Sequence, residues 1–121
     1  MVVWEGVYGL LHSISFDGLL KYPILVDSKT MIVLDGHHRV EALKLLGCSL
    51  IPAILVDYDD SCVSVSSWRP GVVVTKGMVR ASGLSGLPMP PKTSKHRVCF
   101  EIPRVDMSLD RLGCRGFGGR G

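Results

Sequence analysis

At 121 residues, 46% apolar and 21% charged, the chain is long enough for one modest core and too short for two. Its net charge of +3 is too small to demand a polyanionic partner, and no run of about 18 apolar residues is present to cross a bilayer. The first residues lack the basic start and small-residue cleavage pattern of a secretory signal, so the expected location is the cytoplasm. The charge is uneven: residues 1–91 hold seven Lys/Arg against eight Asp/Glu, and residues 92–121 hold seven against three.

Along the chain, Val7, Leu10, Leu11 and Ile14 share one face of a helix over residues 2–16, which Asp17-Gly18 stops. Pro23–Val26 reads as a strand, Asp27–Thr30 as a turn and Met31–Leu34 as a second strand. A helix from His37 to Leu46 turns Val40, Leu43 and Leu46 inward and Glu41 and Lys44 to water, with Gly47 where positive φ is needed. Ile51–Val56 is apolar at almost every position and reads as a strand covered on both faces. Val63, Val65 and Ser67 alternate with Ser64, Ser66 and Trp68 in a further strand, and Arg69-Pro70-Gly71 makes a turn. Thr75 caps a short helix to about Ser82, residues 83–95 form a loop, Arg97–Ile102 a last strand and Ser108–Leu112 a helical turn. The order is that of an α+β domain over residues 1–112, a small mixed sheet with flanking helices. The Gly/Arg-rich tail at 113–121 is too poor in apolar groups to pack and is expected to be disordered.

Cys48, Cys62, Cys99 and Cys114 are widely spaced with no C-x-x-C pair, which argues against a zinc site or a secreted disulfide framework and for buried free thiols. His96 and Cys99 alone do not make a metal cage. Nucleophilic catalysis lacks its signatures, since there is no G-x-S-x-G elbow. There is no G-x-x-x-x-G-K-[ST] loop either, so nucleotide chemistry would need another phosphate seat.

Chemistry concentrates in Asp35-Gly36-His37-His38-Arg39, where an apolar strand turns through glycine into a helix. The first N–H groups of a helix lack intrahelical acceptors and stand at the positive end of its dipole, which suits phosphate or carboxylate. Two imidazoles and a guanidinium add charge-assisted donors. A plainer reading stays open, in which Asp35 merely caps the helix for about 1 kcal/mol. Against it stands the density of cations at a helix start, which repels the dipole at about 0.3–1 kcal/mol per charge unless an anion binds. A second cluster, Pro90-Pro91-Lys92-Thr93-Ser94-Lys95-His96, is either an anion clamp or a solvated basic loop; Trp68, at a strand end, is either packing or ligand-facing.

Ile32 to Arg39, followed by an apolar helix ending Leu46-Gly47, resembles the core motif of the ParB/sulfiredoxin-like superfamily, and within it the ADP-dependent free L-serine kinases. Ser13 before Asp17–Pro23, Val56-Asp57-Tyr58 with Ser67–Pro70, and Pro91–His96 with Ser108–Leu112 agree with that family in the same order, over about residues 7–112. The better-known kinase carries a longer insertion before the Pro-Lys-Thr loop, so this would be a compact version. The resemblance implies transfer of the β-phosphate of ADP to the hydroxyl of L-serine, giving AMP and O-phosphoserine with Mg²⁺. It implies catalytic roles for Asp35, His37 and His38, with Asp35 also the metal ligand. Nucleotide binding would fall to Gly36, His37, His38, Arg39, Lys92 and Thr93, and substrate binding to Ser13, Trp68, Ser94, Lys95 and His96.

One departure from the family stands out. Its catalytic Glu, taken to accept the serine proton, would by ungapped counting fall just before Met1; the nearest carboxylate, Glu5, is four or five residues out of register. Loss of a general base costs about 10²–10⁴ in rate, so a weak or inactive kinase is expected unless Glu5 or residues upstream supply it. Sulfiredoxin itself is disfavoured because its reactive thiol would be His37 here. The rival is a ParB-like nucleotide- or DNA-binding regulatory domain, although nothing after residue 112 would fold as that class's helix-turn-helix module.

Overall fold

The computed structural model describes residues 4–85 and 94–115. In chain order the elements are α1 (Trp4–Asp17), β1 (Leu19–Leu20), β2 (Ile24–Asp27), β3 (Val33–Asp35), α2 (His37–Leu45), β4 (Ala53–Val56), β5 (Val63–Ser67), α3 (Lys76–Ser85), β6 (Ser94–Val98) and β7 (Met107–Ser108). Among the described residues, three helices and three small sheets give the expected α+β content. Backbone contacts gather the chain into two compact units, a first of Leu25–Asp35 and Ile54–Glu101 and a second of Val2–Ile24, Gly36–Ala53 and Ile102–Gly121.

The second unit is built on α1 and α2. Val7 and Ile14 of α1 are buried with Ala42 and Leu43 of α2, and Leu46, Leu20, Leu109 and Leu112 complete the cluster. Val40 is only half-buried, because Ala42 takes the inward place beside Leu43. Gly18 ends α1 as expected, with φ 72° and its N–H donating to the Ile14 carbonyl at 2.8 Å. Strand β7, two residues long and without a periodic pattern, was not legible; it pairs antiparallel with β1, Leu19 opposite Ser108 and Leu20 opposite Met107.

The helical turn after Ser108 forms as expected, its Leu112 N–H donating to the Ser108 carbonyl. Residues Gly113–Arg115, expected to be loose, are instead tied down. Cys114 is bonded to Cys48, and the Arg115 N–H donates to the Gly47 carbonyl at 3.2 Å. Residues 116–121 lie outside the described residues, as do 86–93, so the rest of the tail and most of the 83–95 loop are not described; α3 takes 83–85.

Strand β2, whose Leu25–Asp27 belong to the first unit, is buried at every residue, as a central strand requires, in the order β3-β2-β4. β3 runs antiparallel to it through a bulge. The Ile24 N–H bonds the Pro52 carbonyl and the Ser28 N–H the Val56 carbonyl, an equal advance on both strands, so β4 runs parallel and the sheet is mixed. Met31, expected in a strand, closes the preceding turn at φ 61°, with its N–H on the Asp27 carbonyl. Strand β4 corrects another expectation: it is an edge strand with Ala53 and Leu55 exposed, so only one face is covered. β6 begins three residues before the expected Arg97, since pairing with β5 sets its register, Val63 opposite Val98 through Ser67 opposite Ser94. Thr75 caps α3 as expected, its Oγ1 accepting from the Met78 N–H at 3.2 Å.

The cysteines are not free thiols: Cys48–Cys114 lies in the second unit and Cys62–Cys99 in the first. Spacing carries no trace of this, because each pair is joined by tertiary folding rather than by sequence proximity. Each unit has a small core, and small cores lean on covalent closure. A Cys62→Ser/Cys99→Ser double variant should lose about 2–4 kcal/mol of unfolding free energy in urea titration without reductant. No loss would mean that this bridge does not form in solution.

Candidate functional site

Helix α2 opens on Gly36, which stands at φ 109° and ψ 21°, and no side chain caps the helix. The N-cap position falls on Gly36 and not on Asp35, which is an exposed residue at the end of β3. Glycine is required here twice over. A side chain would be strained at that φ. Its Cβ would also collide with the Ile24 side chain. The first intrahelical bond runs from the Val40 N–H to the Gly36 carbonyl at 3.0 Å, and the first turn carries no acidic residue.

Within the second unit, two of the sequence-predicted residues, Ser13 and Arg39, line one cavity. The Arg39 guanidinium is held by the Pro23 carbonyl at 2.7 Å and the Tyr22 carbonyl at 3.3 Å. It lines a cavity of about 460 Å³ whose walls include Ser13, Leu10, Ile14, Leu20 and Tyr22. Asp17 and Lys21, which sequence reasoning did not single out, line the same cavity as an ion pair at 3.5 Å. His38 lies against α1: a Cβ on Gly6 would stand 3.1 Å from its ring, so the absence of a side chain there lets the imidazole approach. His37 is exposed.

The first unit holds the others. Lys92 and Thr93 lie outside the described residues. Strand periodicity divides the remaining donors of β6, because successive side chains leave opposite faces. Lys95, opposite Ser66, places its ammonium 4.5 Å over the ring of Trp68, which is 58% exposed and so not core packing. His96, opposite Val65, meets Tyr58, whose hydroxyl lies 2.7 Å from the imidazole Nε2. Ser94 pairs with Ser67.

Behind Tyr58 is a network that the sequence did not reveal. Asp27, fully buried, accepts from the Thr30 hydroxyl at 2.7 Å and from the backbone N–H groups of Lys29 and Tyr58, with the Arg80 Nε at 3.7 Å. Burial pushes its carboxyl up, but those hydrogen bonds and the nearby guanidinium outweigh burial and hold it below the ordinary value. Asp59, bonded by Arg80 at 2.7 Å and Lys29 at 3.1 Å, is lowered to about 2 by those two partners. Asp27 read as an ordinary turn residue because an Asp after an apolar run is one far more often than it is a buried acceptor.

No protein-family model matches the chain. Over 47 residues it is 50% identical to a ParB-like protein of Sulfolobus acidocaldarius, covering 39% of this chain and 24% of that one. Over 68 residues it is 37% identical to an ATP-dependent L-serine kinase of Staphylothermus marinus, covering 53% and 27%. Over 73 residues it is 30% identical to the ADP-dependent L-serine kinase SerK of Thermococcus kodakarensis, covering 57% and 30%. The chain thus spans about a quarter of the length of the curated relatives it matches. Among solved structures, free serine kinase in complex with AMP superposes with a TM-score of 0.83 at 16% identity, covering 93% of this chain and 88% of that one. A glutamate-to-alanine variant of free serine kinase in complex with ADP gives 0.82 at the same identity and coverage. The fold is that of free serine kinase, and the sequence relatives are ParB-like and L-serine kinase proteins, as the motif around Asp35–Arg39 led one to expect.

The carboxylates of the first unit predict how stability follows pH. Asp27 and Asp59 both have folded values below the unfolded one, so their contribution is complete above about pH 4 and is lost as pH falls through the folded values. Urea midpoints should therefore hold between about pH 7 and 5 and drop steeply from about pH 4 to 2. Asp59→Asn should flatten that drop, and an unaltered slope would show that the network is not what titrates.

Proposed function

We propose that this chain binds a nucleoside diphosphate at the mouth of α2 and passes its terminal phosphoryl group to the hydroxyl of L-serine, yielding O-phosphoserine and AMP. One observation supports this more than any other: Arg39 belongs both to the first turn of a glycine-opened, uncapped helix and to the wall of a cavity of about 460 Å³. A phosphate seat and a small-molecule cavity thus share a guanidinium already fixed in place by two backbone carbonyls.

The cavity's walls are mostly apolar, and serine would leave most of its volume empty, whereas a nucleoside has a flat apolar body to bury. In this reading Ser13 touches the nucleoside, a different role from the one its family resemblance implies. Trp68, Ser94, Lys95 and His96 remain the proposed serine-binding group. Gly36, His37, His38 and Arg39, with Lys92 and Thr93, are the proposed phosphate binders. ADP is the proposed donor; relatives are named for ATP as well as ADP, so both nucleotides belong in the assay.

In the transfer, the bond between the β-phosphorus and its bridging oxygen breaks, that oxygen leaves on AMP, and the serine Oγ bonds to phosphorus. His37, His38 and Arg39 would offset charge moving onto the leaving oxygen, the usual burden in phosphoryl transfer. The serine proton needs an acceptor. Glu5, one residue before the glycine that meets the His38 ring, is the proposed one.

Mg²⁺ is implied by the same reading. Among the described residues no three His, Cys, Asp or Glu side chains form a metal cage, but Mg²⁺ needs only one or two carboxylates alongside substrate phosphates and water, and Asp35 is exposed and so placed to supply one. Once bound, the ion would neutralise phosphate charge. We place this activity in the cytoplasm; among the described residues, no helix is long and apolar enough to cross a membrane.

Incubation with ADP or ATP, Mg²⁺ and L-serine should yield O-phosphoserine. His37→Ala and His38→Ala should each weaken ADP binding about tenfold or more while leaving the far-ultraviolet circular dichroism unchanged. Ser13→Ala should raise KM for ADP and spare that for serine; the opposite split would return Ser13 to the amino acid. The match to a ParB-like protein favours a second reading as a nucleotide-binding regulatory domain. Tight, steeply salt-dependent binding to duplex DNA with no phosphoserine formed would support it instead.

A further inference from the structure

Tyr58 is fully buried, and its hydroxyl must place a proton somewhere. Among the described residues, the acceptor its hydroxyl reaches is the Nε2 of His96, at 2.7 Å. If His96 donated through Nε2 instead, the tyrosine proton would be left without an acceptor in a dry environment. The bond therefore runs from the tyrosine to the imidazole. Burial pushes the phenol up to about 12, with Arg80 opposing and Asp27 adding to the shift, so the hydroxyl remains a donor across any physiological pH.

The tyrosine is itself immobilised. Its backbone N–H donates to the buried Asp27 carboxylate at 3.4 Å. The Arg80 guanidinium stacks 5.1 Å from the ring centroid and the Lys76 ammonium 5.4 Å from it. Arg80 is anchored in turn by Asp59, and the Lys76 ammonium donates to the Asp60 carbonyl at 3.0 Å. On the other side, His96 is fixed in register by its pairing with Val65 across the β5–β6 ribbon. A ring whose Nε2 accepts a hydrogen bond keeps its own proton on Nδ1.

We propose that Tyr58 is a positioning residue for His96: through its buried hydroxyl it sets the imidazole's plane and holds the neutral ring as the Nδ1–H tautomer. This rests on the reading in which His96 helps to bind serine. Orienting a donor in advance lowers the cost of ordering it when the ligand arrives, so the effect belongs in KM rather than in kcat.

Tyr58→Phe keeps the aromatic body and removes only the hydroxyl. Heteronuclear NMR of the imidazole nitrogens of the full chain at neutral pH should show His96 as Nδ1–H in the parent protein and as a tautomer mixture in Tyr58→Phe. KM for L-serine should rise about five- to twentyfold in Tyr58→Phe, with kcat within twofold and KM for ADP unchanged. His96→Ala/Tyr58→Phe should be no worse than His96→Ala alone, because the two act as a unit. An Nε2–H tautomer in the parent, or a Tyr58→Phe spectrum identical to it, overturns the proposal whether or not serine is phosphorylated. So does an unchanged KM in Tyr58→Phe with only a lower melting temperature, which is what a purely structural tyrosine would give. If neither protein makes phosphoserine but the tautomer shift is present, the kinase reading fails while the hold of Tyr58 on His96 stands.

Discussion

The local chemistry of this protein depends on one backbone constraint, the left-handed glycine between β3 and α2. At φ 109°, with Ile24 where a β-carbon would go, position 36 admits no side chain. The helix starts there, with Val40 as the first residue to close an intrahelical bond. Everything cationic in the next turn is placed by that start: Arg39 reaches back to the carbonyls of Tyr22 and Pro23, and His38 reaches the bare flank of α1 at Gly6. A residue inserted at this entry would rotate both side chains about the helix axis by about 100° and carry them away from these partners.

What the sequence made legible is what local physics decides. The ends of α1 and α2, the Thr75 cap and the β5 alternation follow from glycine dihedrals, a hydroxyl acceptor and a period of two, none of which needs a distant partner. What it hid depends on distant partners. Strand β7 exists only because β1 lies beside it, and β6 begins at Ser94 because Ser67 does the pairing. The exposure of Leu55 follows from one face of β4 being uncovered, and an apolar run reads the same whether one face is covered or both. The cysteine pairs are 66 and 37 residues apart, beyond any spacing argument.

The candidate site divides in the same way. Asp35–Arg39 was legible because five consecutive residues carry the signal. Lys95 and His96 were legible as a basic pair, but strand geometry gives them different companions, Trp68 for one and Tyr58 for the other. Tyr58 was legible only as part of a family-like block, without a role, and Asp27 and Arg80 were not legible as partners, for each is ordinary in its own stretch of sequence. Together they form a polar cluster around the buried Asp27 carboxylate, which accepts from the Tyr58 N–H and lies 3.7 Å from the Arg80 Nε. Such networks rigidify when complete and are costly when broken, since a lone acceptor in a dry interior forfeits its hydration without replacement.

The mouth of α2 is where the sequence acts against its own stability. An Asp, Ser or Asn at the cap would gain about 1 kcal/mol, and an acidic residue in the first turn a few tenths more. The chain has neither: the cap is glycine, the first turn lacks any acid, and it presents His37, His38 and Arg39 to the positive end of the dipole. The capping rule is kept at α3, where the Thr75 hydroxyl accepts from the Met78 N–H, and at the other end of α2, which closes on Gly47. Local rules kept at one helix and broken at another, in a protein with little stability to spare, support the proposal that an anion binds at the broken one. An anion at that mouth would supply the negative charge and the acceptors that the sequence withholds.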